Sequence, residues 1–175
     1  MSLKEKFFFE EKYPILAGWL KKHKGLYVGF KLLYYGLPIL MVLIYVVYVI
    51  HRFRAYGKRT LLRTVAVPGA AFAFVSVFRK FYNKERPYER FEYEPLIDRK
   101  KGGKSMPSRH AFSAGIISAT IAADYPIVAP FLWILTGLIA LTRLLAGVHH
   151  FKDVIAGIVL AVVTHLALML PVSKK

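Results

Sequence analysis

The sequence contains no cysteine, so disulfide bonds and thiolate metal sites are excluded. Acidic residues are scarce as well, since 10 Asp and Glu stand against 26 Lys and Arg, and the formal net charge is +16. A cleavable signal peptide is not predicted either, because Glu10, Glu11 and Lys12 follow the first apolar cluster at residues 7–9. The chain is therefore strongly basic, and cysteine chemistry has no part in its function.

Apolar residues are abundant in spite of this charge. They make up 56% of the 175 residues, and the mean hydropathy is +0.42. Apolar segments separated by basic loops are typical of integral membrane proteins. Nucleic-acid binding, another common reason for a basic chain, is not predicted, because the basic residues lie between apolar runs rather than along one exposed face.

The order of the apolar runs predicts an all-α, polytopic membrane helix bundle of about five transmembrane helices. The expected spans are residues 26–50, 61–78, 111–123, 127–141 and 154–172. The third span is short and rich in Ala, Ser and Gly, which favours close helix packing in lipid. Residues 1–24 predict an N-terminal interfacial helix, with a helix docked on the bundle as the alternative. Residues 1–175 are expected to form a single membrane-embedded domain.

This topology places two polar loops at one face of the membrane. The loop between spans two and three, residues 79–107, and the turn between spans four and five must lie on the same side. The polar residues that they bring together are Arg79, Arg86, Ser108, His110, Arg143, His149 and Asp153. The connection of the spans alone therefore predicts a polar cluster at one face, with residues 79–107 as an active-site loop.

The residue types in this cluster favour phosphoryl chemistry. Asp153 follows His149 by four residues, so on a helix the carboxylate would orient the imidazole as a nucleophile or base. His110 is a second imidazole that can protonate a leaving oxygen, and arginines bind phosphoryl oxygens. The alternative is a metal site formed by His110, His149, His150 and Asp153. It is disfavoured because the arginines would repel a divalent cation.

Three motifs carry a resemblance to a known family. They are Arg79-x6-Arg86-Pro87, Pro107-Ser108-Arg109-His110 and Thr142-Arg143-x5-His149-x3-Asp153. In order and spacing they resemble the motifs of the type-2 phosphatidic acid phosphatase family, membrane relatives of vanadium-dependent haloperoxidases and bacterial acid phosphatases. The sequence departs from the family pattern in having Arg79 for lysine, Arg109 for glycine and Thr142 for serine. Arg109 puts the loop's conformation in question if that glycine needs a positive φ.

The resemblance implies a role for each residue of the cluster. His149 would attack phosphorus and become phosphohistidine, Asp153 would orient it, and His110 would protonate the leaving group and then activate water. The phosphoryl oxygens would be held by Arg79, Arg86, Ser108, Arg143 and the backbone N–H of Arg109. The resemblance also implies catalysis without a metal or other cofactor. His150 is expected to be a neighbour only.

The expected function is hydrolysis of a lipid phosphate by a multi-pass cell-membrane enzyme. The substrate would be phosphatidate, phosphatidylglycerol phosphate or an isoprenyl diphosphate such as undecaprenyl diphosphate. The alternative is a catalytically inert transporter or scaffold that binds lipid phosphate. The resemblance implies an extracytoplasmic active site, and the basic loop 51–63 would then lie inside, as the positive-inside rule predicts. The larger number of basic residues on the motif face argues for the opposite orientation. Oligomeric state is not predicted.

Overall fold

The computed structural model describes residues 6–98 and 102–169, and this part of the chain is helical without strands. Residues 1–5 of the expected interfacial helix, 99–101 of the expected loop and 170–172 of the expected fifth span lie outside the described residues. The helices are α1 (Tyr13–Lys22), α2 (Lys24–Tyr56), α3 (Arg59–Phe81), α4 (Pro87–Arg90), α5 (Arg109–Asp124), α6 (Pro126–Leu145) and α7 (Phe151–Met169). A π-helical turn, Phe8–Lys12, precedes α1.

Helices α2, α3 and α6 are long and apolar enough to cross a membrane. Their outward side chains include exposed apolar residues such as Leu32, Val47, Phe74 and Ile134, as expected of surfaces that face lipid hydrocarbon. The predicted all-α membrane bundle is therefore confirmed. Five spans stay a prediction, because α5 has 16 residues, or about 24 Å at 1.5 Å per residue.

Helix α5 lies at the centre of the bundle. Its residues from Ala111 to Ile121 are buried with few exceptions, and it packs most extensively on α7. Small residues permit this approach, since a Cβ added to Gly115 would lie 2.9 Å from the Cβ of Ala161. A Cβ added to Gly157 would lie 2.7 Å from the carbonyl oxygen of Ser108. The close packing predicted from the small residues of the third span is confirmed.

The N-terminal helix α1 is amphipathic, as predicted. Tyr13 and Ala17 are buried, whereas Ile15 and Trp19 are 71% and 51% exposed. The hydroxyl of Tyr13 accepts a hydrogen bond from the backbone N–H of Leu96 at 3.0 Å. Helix α1 thus covers the loop that follows α4 and leaves an apolar face outward, which suits a helix at a membrane interface.

Candidate functional site

Four helix ends meet at one end of the bundle, as the predicted topology requires. They are the C-terminal ends of α3 and α6 and the N-terminal ends of α5 and α7. Two backbone contacts show the convergence: the N–H of Ser108 donates to the carbonyl of Asp153 at 2.8 Å, and Leu96 donates to Ala146 at 3.2 Å. Six of the predicted site residues are buried at this end, namely Arg79, Arg86, Ser108, Arg143, His149 and Asp153. Arg109 is exposed and His110 is half-buried.

His149 and Asp153 lie close together, with Ser105 between them. The Nδ1 of His149 is 3.8 Å from the Oδ2 of Asp153 and 3.4 Å from the hydroxyl oxygen of Ser105. The hydroxyl of Ser105 in turn donates to Oδ2 of Asp153. The serine hydroxyl can therefore relay the hydrogen bond between imidazole and carboxylate. The Nδ1 side of the ring faces this relay, so the Nε2 atom is the nitrogen placed to react.

His149 and Asp153 lie close together as predicted, but the predicted cause, an offset of four residues on one helix, is wrong. Helix α7 begins at Phe151, so His149 precedes the helix and is not related to Asp153 by helical periodicity. A capping arrangement joins them instead, because the carboxylate of Asp153 accepts the backbone N–H of His150 at 3.1 Å. The N–H of Asp153 returns a bond of 3.0 Å to the carbonyl of His150. This reciprocal bonding fixes the turn that carries His149.

The electrostatics favour a neutral imidazole beside an ionised carboxylate. Burial lowers the pKa of His149 to about 4, with the positive charges of Arg86 and Arg79 acting in the same direction and Asp153 opposing them. Burial would raise the pKa of Asp153, but the neighbouring imidazole of His149 and the hydrogen bonds from Lys84 and Ser105 outweigh it and hold that pKa below its ordinary value. At neutral pH the imidazole therefore keeps the lone pair that a nucleophile needs.

Lys84 and Ser105 belong to the site, and the sequence reasoning missed both. The ammonium of Lys84 lies 2.6 Å from the Oδ1 of Asp153, whose side chain is fully buried. The carbonyl of Lys84 also accepts the N–H of Ser105 at 2.8 Å. Both residues lie in non-helical segments, so no periodicity connects them to Asp153. The only available signal was their nearness in sequence to Arg86 and Ser108.

The start of α5 forms a second part of the site. Ser108 is the residue before the helix, and its hydroxyl oxygen is buried without a hydrogen-bond partner among the described residues. A buried polar atom of this kind is costly unless a ligand or water satisfies it. Arg109 is the first helical residue, and its φ is not positive. Its replacement of the family's glycine therefore introduces no left-handed strain, and its backbone N–H belongs to a helix N-terminus that attracts anions.

Arg79 and Arg86 hold the loop that contains Ser105. Arg79 donates to the carbonyl of Ser105 at 3.2 Å and also to the carbonyls of Lys104 and Pro107. Arg86 donates from Nε to the carbonyl of Gly103 at 3.0 Å and from Nη1 to that of Val148 at 2.7 Å. The two guanidinium groups thereby join this loop to the turn that carries His149.

The two arginines do not share one helix, because α3 ends at Phe81 and Arg86 is the residue before α4. Lys80, the neighbour of Arg79 in the sequence, differs from it in burial. Arg79 is 4% exposed, whereas Lys80 is exposed.

Arg143 is directed toward α2. Its guanidinium lies over the ring of Tyr34 at 3.6 Å from the centroid, and it donates to the carbonyl of Tyr34. A contact between Arg143 and a phosphoryl group stays a prediction.

His150 packs against the rings of Phe9 and Phe91, in keeping with the expectation that it is a neighbour. Within residues 6–98 and 102–169, no three His, Asp or Glu side chains form a group that could hold a metal ion.

His110 opens onto an apolar cavity. This cavity has a volume of about 460 Å³, and its polar rim contains Arg109, His110 and Ser113. The remaining lining residues are apolar and come from α2, α3, α5 and α6, with Met41 and Ile139 among them. A long apolar chain placed there would have its polar end beside His110.

Comparison with known proteins supports the same reading of the fold. The sequence model of the PAP2 superfamily matches residues 59–175. The structure is similar to the crystal structure of Aquifex aeolicus LpxE, with a TM-score of 0.66 and 19% identity over 90% of this chain and 92% of that chain. It is also similar to a transmembrane PAP2-type phosphatidylglycerolphosphate phosphatase from Bacillus subtilis, with a TM-score of 0.60 and 17% identity over 94% of this chain and 92% of that chain. No curated protein sequence matches the chain significantly.

Proposed function

Because the chain belongs to the PAP2 superfamily, we propose that it is an integral membrane phosphatase that hydrolyses a phosphate ester or diphosphate of a lipid. The observation that carries this proposal is the buried arrangement of His149, Ser105 and Asp153 beside the unsatisfied hydroxyl of Ser108. It combines an oriented, neutral imidazole with a buried hydroxyl that has no hydrogen-bond partner among the described residues. That combination suits a nucleophile facing an anionic group better than it suits a packing role.

In the proposed mechanism, the Nε2 lone pair of His149 attacks the terminal phosphorus, and the bond from that phosphorus to the leaving oxygen breaks. The leaving oxygen belongs to the lipid alcohol of a phosphate ester or to the lipid monophosphate released from a diphosphate. His110 donates a proton to that leaving oxygen, and a phosphohistidine results. His110 then takes a proton from a water molecule, whose oxygen attacks phosphorus and releases inorganic phosphate and neutral His149. Asp153, through Ser105, stabilises the positive charge that develops on the ring.

Charge stabilisation in this mechanism comes from the arginines and the start of α5. Arg79 and Arg86 place positive charge close enough to lower the pKa of His149, and the same field stabilises the charge that gathers on phosphoryl oxygens. The hydroxyl of Ser108 and the backbone N–H of Arg109 are the proposed direct donors. Arg143 would join them if its side chain turned from Tyr34 toward the phosphoryl group.

The apolar cavity beside His110 supports a lipid rather than a soluble phosphate ester as the substrate. Its volume of about 460 Å³ lies within the range of small-molecule sites, about 300–1,000 Å³. The candidates are phosphatidate, phosphatidylglycerol phosphate and an isoprenyl diphosphate such as undecaprenyl diphosphate. We favour the diphosphate because several positive charges surround the site.

Three further features belong to the same proposal. Catalysis is metal-independent, because the buried arginines make the site unfavourable for a divalent cation. The active site faces the extracytoplasmic side, with the basic loop 51–63 inside the cell. Residues 1–175 act as one domain, which is supported by the packing of α1 and α2 against the loop after α4.

A phosphate-release assay tests this function. Purified protein in detergent is given each candidate lipid phosphate in the presence of EDTA, and released inorganic phosphate is measured. Turnover of at least one lipid by the wild type, and none by His149→Ala, is the expected result. Turnover that is lost in EDTA and restored by one divalent ion would contradict the metal-free mechanism. Tight binding without any release would identify the inert alternative.

A further inference from the structure

A second cavity, which has charged residues in its lining, lies at the end of the bundle away from His149. Helix α5 begins with Arg109 at the candidate active site and ends with Asp124 at this cavity, so about 24 Å separates them along its 16 residues. The cavity has a volume of about 720 Å³. Its lining includes Tyr48, Arg52, Arg59, Arg63, Asp124 and His165.

The residues that line the cavity carry more positive than negative charge. Asp124 supplies the only carboxylate among the residues that line the cavity, and this carboxylate is already engaged. Arg52 places its Nε 3.2 Å from the Oδ2 of Asp124, and the hydroxyl of Tyr48 donates to the same oxygen at 2.7 Å. The guanidinium of Arg52 also lies 4.1 Å from the centroid of the Tyr56 ring. The charges of Arg52 and Asp124 therefore offset each other in the wall of the cavity.

Arg59 and Arg63 carry the excess charge. Both side chains are exposed and line the same cavity. Neither forms a salt bridge with a carboxylate in residues 6–98 or 102–169. Two like charges four residues apart repel each other, and an anion between them removes that repulsion. A π-helical turn, Leu62–Ala66, contains Arg63, and such turns are frequent at functional sites.

His165 provides a second, independent observation at this cavity. His165, on α7, contributes an Nδ1 atom that is buried without a hydrogen-bond partner among the described residues. An unsatisfied buried nitrogen costs free energy unless a bound molecule or water reaches it. The cavity thus presents two guanidinium groups at its rim and an imidazole nitrogen on its inner wall.

We propose that this cavity binds a phosphoryl anion, at a site distinct from the catalytic one. Guanidinium groups form paired, charge-assisted hydrogen bonds with phosphoryl oxygens. The ligand is either the headgroup of an anionic lipid in the leaflet opposite the active site or a soluble phosphate compound. Exposed apolar side chains next in sequence to lining residues, such as Phe53 on α2 and Leu62 on α3, allow a lipid to enter laterally.

The test compares two variants of equal charge at the same end of the bundle. Arg59→Gln with Arg63→Gln removes the charge from the cavity. Arg54→Gln with Lys58→Gln removes the same charge from residues that do not line it. Each protein is purified, its helix content is checked by circular dichroism, and Arg63→Gln alone is used if the double variant loses helix.

Native mass spectrometry then measures the binding of phosphatidylglycerol, with phosphatidylcholine as the neutral comparison, and of glycerol phosphate. Binding is measured on a His149→Ala background to reduce binding at the active site.

We expect the cavity variant to bind phosphatidylglycerol or glycerol phosphate about tenfold more weakly or worse, because each charged hydrogen bond is worth about a factor of ten. The control variant should change binding less than about twofold. Loss of phosphatidylglycerol binding alone identifies a lipid headgroup site, and loss of glycerol phosphate binding alone identifies a soluble ligand. Equal weakening in both variants would show a general charge effect and overturn the proposal. The proposal would also be overturned if the parent protein bound neither phosphatidylglycerol nor glycerol phosphate.

Discussion

The ammonium group of Lys84 forms an ion pair with Asp153, with 2.6 Å between Nζ and Oδ1. The two residues are 69 positions apart, and the carboxylate is fully buried. Lys84 therefore connects the loop after α3 to the residue that orients His149. Within the described residues, no hydrogen bond or ion pair joins Lys84 to the imidazole of His149, so we regard it as a positioning residue.

Lys84→Met should reduce kcat by about 10- to 100-fold, because a hydrogen bond to a charged group contributes about 1.5–3 kcal/mol. Loss of the ammonium should also raise the pKa of Asp153 and move the acidic limb of the rate profile to higher pH. Steady-state rates between pH 4 and 8 measure both effects. Lys80→Met, at an exposed position, is the matched control, and Lys84→Arg should restore part of the rate. An unchanged pH profile in Lys84→Met would argue against the positioning role.

Arg79→Ala should be far more damaging than Lys80→Ala. Arg79 is buried and holds the carbonyls of Lys104, Ser105 and Pro107, whereas Lys80 is exposed. Leaving these buried carbonyls unsatisfied costs about 1–3 kcal/mol for each group. We expect Arg79→Ala to lose nearly all activity and to unfold at a lower temperature. Lys80→Ala should differ little from the wild type in phosphate release and in thermal unfolding. Equal losses at the two positions would mean that the first motif has been misaligned.

His149 should remain neutral at pH values where an ordinary histidine is protonated. Its pKa is lowered to about 4 by burial, with Arg86 and Arg79 adding to the effect, against an ordinary value of about 6.5. The folded protein then binds fewer protons than the unfolded chain between these values, so stability decreases as the pH falls through this window. Imidazole ¹⁵N resonances, assigned by comparison with His149→Gln, should show the change. Asp153→Asn should lower the pKa further, and titration of His149 above pH 6.5 would contradict the burial argument.

The basic loop and the active-site loop should lie on opposite sides of the membrane. They occupy opposite ends of the bundle, and the absence of native cysteine makes cysteine labelling unambiguous. In intact cells, a membrane-impermeant thiol reagent should label Arg90→Cys but not Lys58→Cys. Labelling of Lys58→Cys alone would place the active site on the cytoplasmic side.

Much of the fold and of the site could be predicted from the sequence, for physical reasons that particular residues illustrate. The grouping of Arg79, Arg86, His149 and Asp153 follows from the alternation of spans and loops. The close contact of α5 with α7 follows from small residues such as Gly115. These features depend on periodicity, composition and chain connection, all of which a sequence contains.

Other features depend on contacts between irregular segments. The positions of Lys84 and Ser105 around Asp153 arise from loop geometry, with no repeat that would relate them to it. The turn before α7 is fixed by the hydrogen bond from the backbone N–H of His150 to the carboxylate of Asp153. The offset of four residues between His149 and Asp153 wrongly predicts that both lie on one helix. Arg143 packs on Tyr34, which lies 109 positions earlier, and no motif in the sequence indicates this contact. Contacts at such separation require the folded structure.

Rapid-quench trapping of a phosphoprotein shows whether His149 is the nucleophile and His110 the acid. Wild-type, His149→Ala and His110→Ala proteins are mixed with an alkyl phosphate and with an aryl phosphate that has an acidic phenol. His149→Ala should form no acid-labile phosphoprotein with either compound. His110→Ala should form it with the aryl ester, whose leaving group needs little protonation, and should hydrolyse it slowly. Normal levels of phosphoprotein in His149→Ala would contradict the assignment.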